Sequence, residues 1–316
     1  MSISVLLYND GTPIDLSEYV CALEWGDMKG ELAARAQIDI PAQVGGHELS
    51  DLAKLNAPLE ILISDTRVFS GIVWDYTLLD GRNVRMNCYD RMIFLSGSTD
   101  SAYFSAGYST RRIIESICRR RDVPLNYTYK STTHGRISYR ARNVADQIVS
   151  TLDAAKSICG TDYFMRMEGN TLHVGAMGEG DAVCAIDRAR ATGYKYGRSM
   201  DNLITRAVVI SGSDSALRVR ETLDGDTTLG ILQAVVDSAG QSISDARAQA
   251  KELLKGRGTP EETIEIECTD TPTLRRGDRV RIDVDGIEGQ YDVLGVMHDR
   301  AIKMQLTLKR HNDGGD

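Results

Sequence analysis

Residues 274–286 read Leu274-Arg-Arg-Gly-Asp-Arg-Val-Arg-Ile-Asp-Val-Asp-Gly286, and the fold class is decided here. Val280, Ile282 and Val284 alternate with Arg279, Arg281, Asp283 and Asp285, the period of a half-buried strand that ends in a turn. Beyond Gly286 come Tyr291-Asp-Val-Leu-Gly-Val and then residues 302–309, in which Ile302, Met304, Leu306 and Leu308 share one face. Three strands joined by short polar turns make an antiparallel meander. Residues 58–89 have the same plan: Leu59, Ile61 and Ile63 alternate, Val68-Phe-Ser-Gly-Ile-Val follows a turn, and Val84-Arg-Met-Asn-Cys-Tyr closes the unit. Two copies of a small β unit in one chain suit a ring or scaffold better than an enzyme.

The bulk properties are those of a folded globular chain. Its 316 residues are enough for two or three domains, and 42% apolar with 26% charged residues is near the average for such proteins. No apolar run approaches the roughly 18–20 residues of a membrane span, so no stable membrane insertion is expected. Met1-Ser-Ile-Ser-Val-Leu-Leu-Tyr lacks the basic start and small-residue cleavage site of a secretory signal, which implies folding in a cytoplasm. Cys21, Cys88, Cys118, Cys159, Cys184 and Cys268 are far apart with no Cys-x-x-Cys pair, the pattern of isolated reduced thiols. A net charge of −8 argues against specific nucleic-acid binding while leaving room for a local basic patch.

Texture divides the chain in three. Residues 1–97 read as a first β-barrel domain of short strands, with Val20–Gly26 and Ala33–Ile40 as partners and a short helical piece near Leu49–Leu55. Residues 98–178 read as a small α+β domain. Ser109 caps a helix with Ile113, Ile114, Ile117 and Cys118 on one face, and Asn143 caps a second with Val144, Ile148, Leu152 and Ala155, ending at Gly160. A hairpin over Tyr163–Val174 follows, and Gly175-Ala-Met-Gly-Glu-Gly reads as a flexible linker. Residues 179–312 return to strands as a second β-barrel domain with an inserted helix at about 244–255, capped by Ser244. Within it, Leu229–Val236 suits strand or helix. Residues 313–316 are a frayed tail. The expected fold is thus α+β, mostly β: two small β-barrel domains flanking a small α+β domain.

No catalytic constellation emerges, and no cofactor or metal is expected. His47, His134, His173, His298 and His311 are scattered and read as ordinary surface or turn residues. Gly175–Gly180 matches neither dinucleotide nor P-loop spacing, and Asp283-Val-Asp-Gly lacks the glutamate of a calcium loop. Neither Ser96-Gly-Ser nor Ser211-Gly-Ser stands in a Gly-x-Ser-x-Gly elbow. Glu265 with Glu267, and Asp224 with Asp226, read as solvated strand edges. The one unusual charge cluster is Arg119, Arg120 and Arg121, preceded by Arg111 and Arg112. Such guanidinium forks suit a docking patch for an acidic protein surface or, second to it, for nucleic acid, and a solvated helix end explains them as well.

The order of these segments resembles a known family. Asn143-Val-Ala-Asp-Gln-Ile-Val-Ser-Thr-Leu-Asp, Gly160-Thr-Asp-Tyr-Phe-Met-Arg and Gly169-Asn-Thr-Leu-His-Val are followed by Asp201-Asn-Leu-Ile-Thr-Arg-Ala-Val-Val and a helix around Ala246–Leu254. Then come Leu274-Arg-Arg-Gly-Asp-Arg-Val and Gly289-Gln-Tyr-Asp-Val-Leu-Gly-Val. The series is similar to the XkdQ/YqbQ-type baseplate central hub of contractile phage tails and phage-tail-like bacteriocins (tailocins), across most of the chain. The resemblance implies a homotrimeric structural protein with no enzymatic activity, whose paired barrels build a pseudo-sixfold ring between a hexameric tail tube and a trimeric spike. Its implied partners are the tail tube or tube-initiator protein, a separate spike protein, other baseplate proteins and a tape-measure protein in the lumen. Such a chain is made in the bacterial cytoplasm and incorporated into the baseplate. Two other classes stay open: another tail or secretion ring component, and a cell-wall-directed enzyme or carbohydrate-binding module.

Overall fold

The alternation at 279–284 belongs to a strand, Arg279–Val284, whose Val280, Ile282 and Val284 are buried. It pairs antiparallel with Ile287–Asp299, which pairs antiparallel with Lys303–Arg310. Both are described by a computed structural model that covers residues 2–79, 81–212, 217–238 and 242–311. The expected tail at 313–316 lies outside the described residues. Ile302 departs from the expected face: it occupies the turn before the third strand with φ 63° and its side chain is exposed, so the core stripe begins at Met304. A turn that must reverse the chain within three residues outranks the preference of one isoleucine for the interior.

The early meander has the same build. Pro58–Ile63, Thr66–Leu79 and Asn83–Tyr89 pair in sequence, and Leu59, Ile61 and Ile63 are buried. The likeness goes beyond the meander. In the first unit Arg35–Pro41 pairs with the third meander strand and Ala22–Asp27 pairs with Arg35–Pro41. In the second, Glu261–Thr269 pairs with the third meander strand and Ala191–Ser199 pairs with Glu261–Thr269. A further strand flanks each first meander strand: Ile3–Asn9, antiparallel, in one unit and Cys184–Asp187, parallel, in the other. Both central meander strands are long and shift register against the third meander strand, between Val73 and Asp75 and between Val293 and Gly295. Six strands therefore recur in the same chain order and with the same neighbours.

The second copy is interrupted. Where a short turn joins Ala22–Asp27 to Arg35–Pro41, the second unit carries residues 200–260. Arg206–Ser211 there lies between Arg218–Asp224, antiparallel, and Gln233–Asp237, parallel, and the helix Ile243–Arg257 covers this small sheet. Ala207, Val209, Val236, Ala246 and Ala250 form a core of their own, so the inserted helix comes with its own sheet. Its cap is Ser242, whose hydroxyl accepts from the Asp245 amide at 3.1 Å; Ser244 stands inside the first turn. The ambiguous run at 229–236 resolves into a 3-10 turn, Thr227–Leu229, and a strand.

The middle segment is the expected mixture. Thr110–Arg119 is capped by Ser109, and Val144–Cys159 runs from Asn143 to a left-handed Gly160, with both predicted stripes buried. They pack on two small sheets, Thr99–Phe104 with Ile137–Asn143, and Leu125–Tyr127 with the hairpin Tyr163–Glu168 and Thr171–Ala176. The expected flexible linker is pinned: the Met177 amide donates to Asp162 O at 2.9 Å and the Gly178 amide to Gly277 O at 2.9 Å.

The two β units are joined edge to edge. The last residues of Ile287–Asp299 run past the end of Arg279–Val284 and pair antiparallel with Ala22–Asp27, Val296 opposite Asp27, Met297 opposite Gly26 and His298 opposite Trp25. This seam merges both units into one 13-stranded sheet. Gly26 is required by the close approach, because a Cβ there, at φ 155°, would lie 2.9 Å from the Val296 carbonyl carbon. Gly295 meets the same limit, with Lys29 N 2.6 Å from where its Cβ would stand. Gly26→Ala is expected to lower stability by about 2–4 kcal/mol through strain and overpacking; a chemical denaturation midpoint unchanged from the parent would contradict so tight a seam.

Candidate assembly surfaces

The seam is locked by charges that the sequence places 248 residues apart. Asp27 is fully buried, and Arg275 grips it through Nε at 2.5 Å and Nη2 at 3.1 Å. The neighbouring Arg276 donates its amide to Asp27 at 3.3 Å and its guanidinium to the carbonyls of Glu31, Leu32 and Met165. Arg166 then reaches the Arg276 carbonyl at 3.1 Å and Asp278 at 2.8 Å. One dipeptide thus ties together the first β unit, the middle segment and the second β unit. Removing one partner from such a pair leaves a charge stranded in low dielectric, which typically costs about 3–5 kcal/mol. Burial works to raise the Asp27 carboxyl, but the Arg275 charge and its hydrogen bonds, with Arg276, outweigh it and hold the group at about 2.

Beside it lies His298, read from sequence as a surface or turn residue and found 1% exposed. Its ring stacks on Trp25 at 5.1 Å between centroids, with Nδ1 2.6 Å from Asp270 Oδ1 and Nε2 3.1 Å from Leu274 O. His134 is also buried, 2.8 Å from the Thr110 hydroxyl. Isolated histidines carry no periodic signal, so only tertiary packing reveals them. Glu265 and Glu267 likewise stand on an interior strand of the sheet and not on an edge, paired across it with Lys195 at 3.3 Å and Lys303 at 2.9 Å. All six cysteines are free, and burial pushes the Cys118 and Cys268 thiols up to about 12. Among the described residues no group of three or more His, Cys, Asp and Glu converges as a metal site does, and no helix is long and apolar enough to cross a membrane.

Arg119 ends its helix, Arg120 is the C-terminal cap and Arg121 begins the following turn. Asp100 is shared by Arg121 at 3.4 Å and Arg120 at 3.9 Å, whereas Arg119 has no side-chain partner among the described residues. The surroundings are basic beyond these three, with ten Lys and Arg against three Asp and Glu over residues 91–142 in a chain of net charge −8. A cavity of about 320 Å³ opens beside them, lined by Arg91, Arg121, Phe94, Leu95, Val123 and Met167 among others. Trp74 stands edge-on to the exposed Phe94 at 6.4 Å. Arginine and aromatic side chains are the types enriched at protein–protein interfaces.

Two strand edges are also open. Among the described residues the strand Thr66–Leu79 has a neighbour on one side only beyond Val73, and Ala191–Ser199 ends the sheet. Tyr76, Leu78, Tyr194 and Tyr196 on these edges are all 40% exposed or more. Sequence pattern gave no sign of Ala191–Ser199 as a strand, since both its faces are solvated.

Duplicated β units joined by an edge-to-edge seam form a fold shared with phage tail proteins. The chain resembles the tail protein from Neisseria meningitidis MC58 with a TM-score of 0.73 and 15% identity, over 99% of this chain and 98% of that one. It resembles the prophage MuSo2 43 kDa tail protein from Shewanella oneidensis with a TM-score of 0.74 and 9% identity, over 99% and 100%. For the E. coli c3393 protein, a type VI secretion component, the values are 0.59 and 11%, over 93% and 74%. None of the curated proteins matches. Residues 56–309 match the model of the YQBQ-like family, and the chain belongs to that family. The resemblance to XkdQ/YqbQ-type hubs drawn from segment order therefore holds.

Asp90, also buried, turns the seam into a pH-dependent structure. Burial pushes it up to about 7, with the Asp27 charge adding, and its Oδ2 has no hydrogen-bond partner among the described residues. Asp27, whose folded value is depressed, contributes stability that is present above its unfolded value near 4 and is lost as pH falls towards about 2. Asp90 works oppositely: the folded form holds the extra proton between about 4 and 7, so its contribution falls as pH rises through that window. Asp90→Asn should match the parent near pH 4 and exceed it by about 1–4 kcal/mol near pH 8. Denaturation midpoints across this range check it, and a constant difference between parent and variant would refute the assignment.

Proposed function

We propose that this chain is the structural baseplate hub of a contractile injection system, a phage tail or tailocin, and acts without bond chemistry. The observation that carries the reading is the duplicated six-strand unit in a member of the YQBQ-like family. Three copies would present six such units, each a small β-barrel, as a pseudo-sixfold ring between a hexameric tail tube and a trimeric spike. Duplication within one chain lets threefold and sixfold symmetries meet without a second subunit. We assign the first barrel to residues 1–97, the α+β domain to 98–178 and the second barrel with its insertion to 179–312. The type VI secretion component among the similar structures keeps a secretion-device ring as the second reading.

In this arrangement the chain is made in the bacterial cytoplasm and joins the baseplate, its ring surrounding the tape-measure protein. Light scattering on the purified chain, alone and with the candidate spike protein, should give the mass of a trimer in at least one condition. A monomer in both would overturn the hub reading. Arg119, Arg120 and Arg121 are assigned to docking an acidic baseplate partner. Replacing all three with Glu should leave the trimer intact but cut particle assembly at least tenfold, counted by electron microscopy; normal particle numbers would remove the patch from the function.

A further inference from the structure

The internal seam joins the end of the second unit's central strand to the Ala22–Asp27 edge of the first unit. Because the units are copies, the molecule also holds an unused version of each side. The pairings make Tyr76, Thr77, Leu78 and Leu79 the equivalents of Val296, Met297, His298 and Asp299, since Met86 faces Tyr76 as Leu306 faces Val296. In the same way Tyr194, Tyr196 and Gly197 are the equivalents of Leu23, Trp25 and Gly26, because Ile266 faces Tyr194 as Ile38 faces Leu23. We infer that the free end of Thr66–Leu79 in one copy pairs antiparallel with Ala191–Ser199 of a second copy of this chain, repeating the internal seam between molecules, with Leu78 opposite Tyr196 and Thr77 opposite Gly197.

Two observations carry this independently. The first is burial. Val296, His298 and Trp25 are each 1% exposed in the internal seam, whereas their equivalents Tyr76, Leu78 and Tyr196 are 40%, 60% and 45% exposed. Apolar side chains and unpaired backbone on an open strand form a template for another chain, and equivalence with the internal seam makes Ala191–Ser199 the complement of the Thr66–Leu79 end.

The second is Gly197. Gly26 is dictated by the neighbouring Val296 backbone, but among the described residues of one molecule nothing dictates Gly197, where a Cβ would meet only Thr263 Oγ1 at an ordinary 3.5 Å. Glycine in a strand interior weakens the strand unless another backbone approaches closely. The Tyr76–Thr77 backbone of a second copy, equivalent to Val296–Met297, supplies that approach. The charge lock is not repeated, for Arg198 stands where Asp27 does and pairs with Glu262 at 3.3 Å. The contact between copies therefore rests on backbone pairing and apolar burial, and is weaker than the internal seam.

Each copy offers one edge and receives the other, so the contact is heterologous and propagates head to tail, as a closed ring requires. It rests on the hub reading for the closure at three. Leu78→Cys and Tyr196→Cys variants, mixed under mild oxidation, should give a covalent dimer that neither single variant gives, and the double variant should give covalent trimers. Gly197→Val should keep the parent's thermal stability while weakening self-association at least tenfold by light scattering. Absence of the mixed dimer in a sample that scatters as a trimer would overturn this pairing and leave the hub reading standing. Absence of the dimer in a sample that stays monomeric with and without the spike would overturn both. Retention of full self-association by Gly197→Val would also overturn the pairing.

Discussion

Four residues of strand pairing, Glu24–Asp27 against Val296–Asp299, hold the two halves of this molecule in one sheet, and the buried Asp27–Arg275 pair fixes their register. Backbone pairing alone is permissive, since a strand can slip by two residues and keep its buried face. A carboxylate buried at one position and met there by a guanidinium is not permissive, because any slip strands both charges away from water. The pair is therefore better understood as a specifier of the join than as a source of net stability. Arg276 extends the same logic to the middle segment by capping the carbonyls of Glu31, Leu32 and Met165.

The insertion shows how the duplication tolerates difference. Residues 200–260 enter at a turn between two strands that are themselves neighbours, so the six-strand order on either side is undisturbed. The inserted sheet and helix bring a separate core and make few demands on the host. Helix Ile243–Arg257 still touches helix Val144–Cys159, where Glu252 lies close to Gly160, so the insertion and the middle segment brace each other. The molecule is thus a duplicated sheet whose two small α+β appendages meet.

Legibility from sequence followed periodicity. The strands at 58–63 and 279–284 and the helices at 110–119 and 144–159 were readable because each buries one face, and burial on one face writes a period into the chain. Ala191–Ser199 was not readable because both of its faces are solvated, and Ser244 was taken for the cap because Ser242 and Ser244 offer the same hydroxyl two residues apart. Arg119, Arg120 and Arg121 were visible as a charge run, but the cavity beside them is lined from residues 91–170 and exists only after folding. His298 was misplaced for a related reason, since its burial depends on Trp25 and Asp270, which are remote in sequence.

By itself the sequence determined that this is a mostly β chain with a repeated meander, two well-capped helices and a family membership carried by segment order. Those properties arise from local patterning, in which neighbours along the chain decide backbone shape and which side chains turn inward. Tertiary structure alone decided that the two β units share one sheet, that Asp27 and Arg275 meet, and that the far end of Thr66–Leu79 and the strand Ala191–Ser199 are left at open edges. Strand pairing joins residues through backbone groups that every amino acid carries, so the choice of partner edge leaves almost no mark on the sequence. Its traces here are glycines where two backbones approach and one buried ion pair, and these acquire meaning once the strands are side by side.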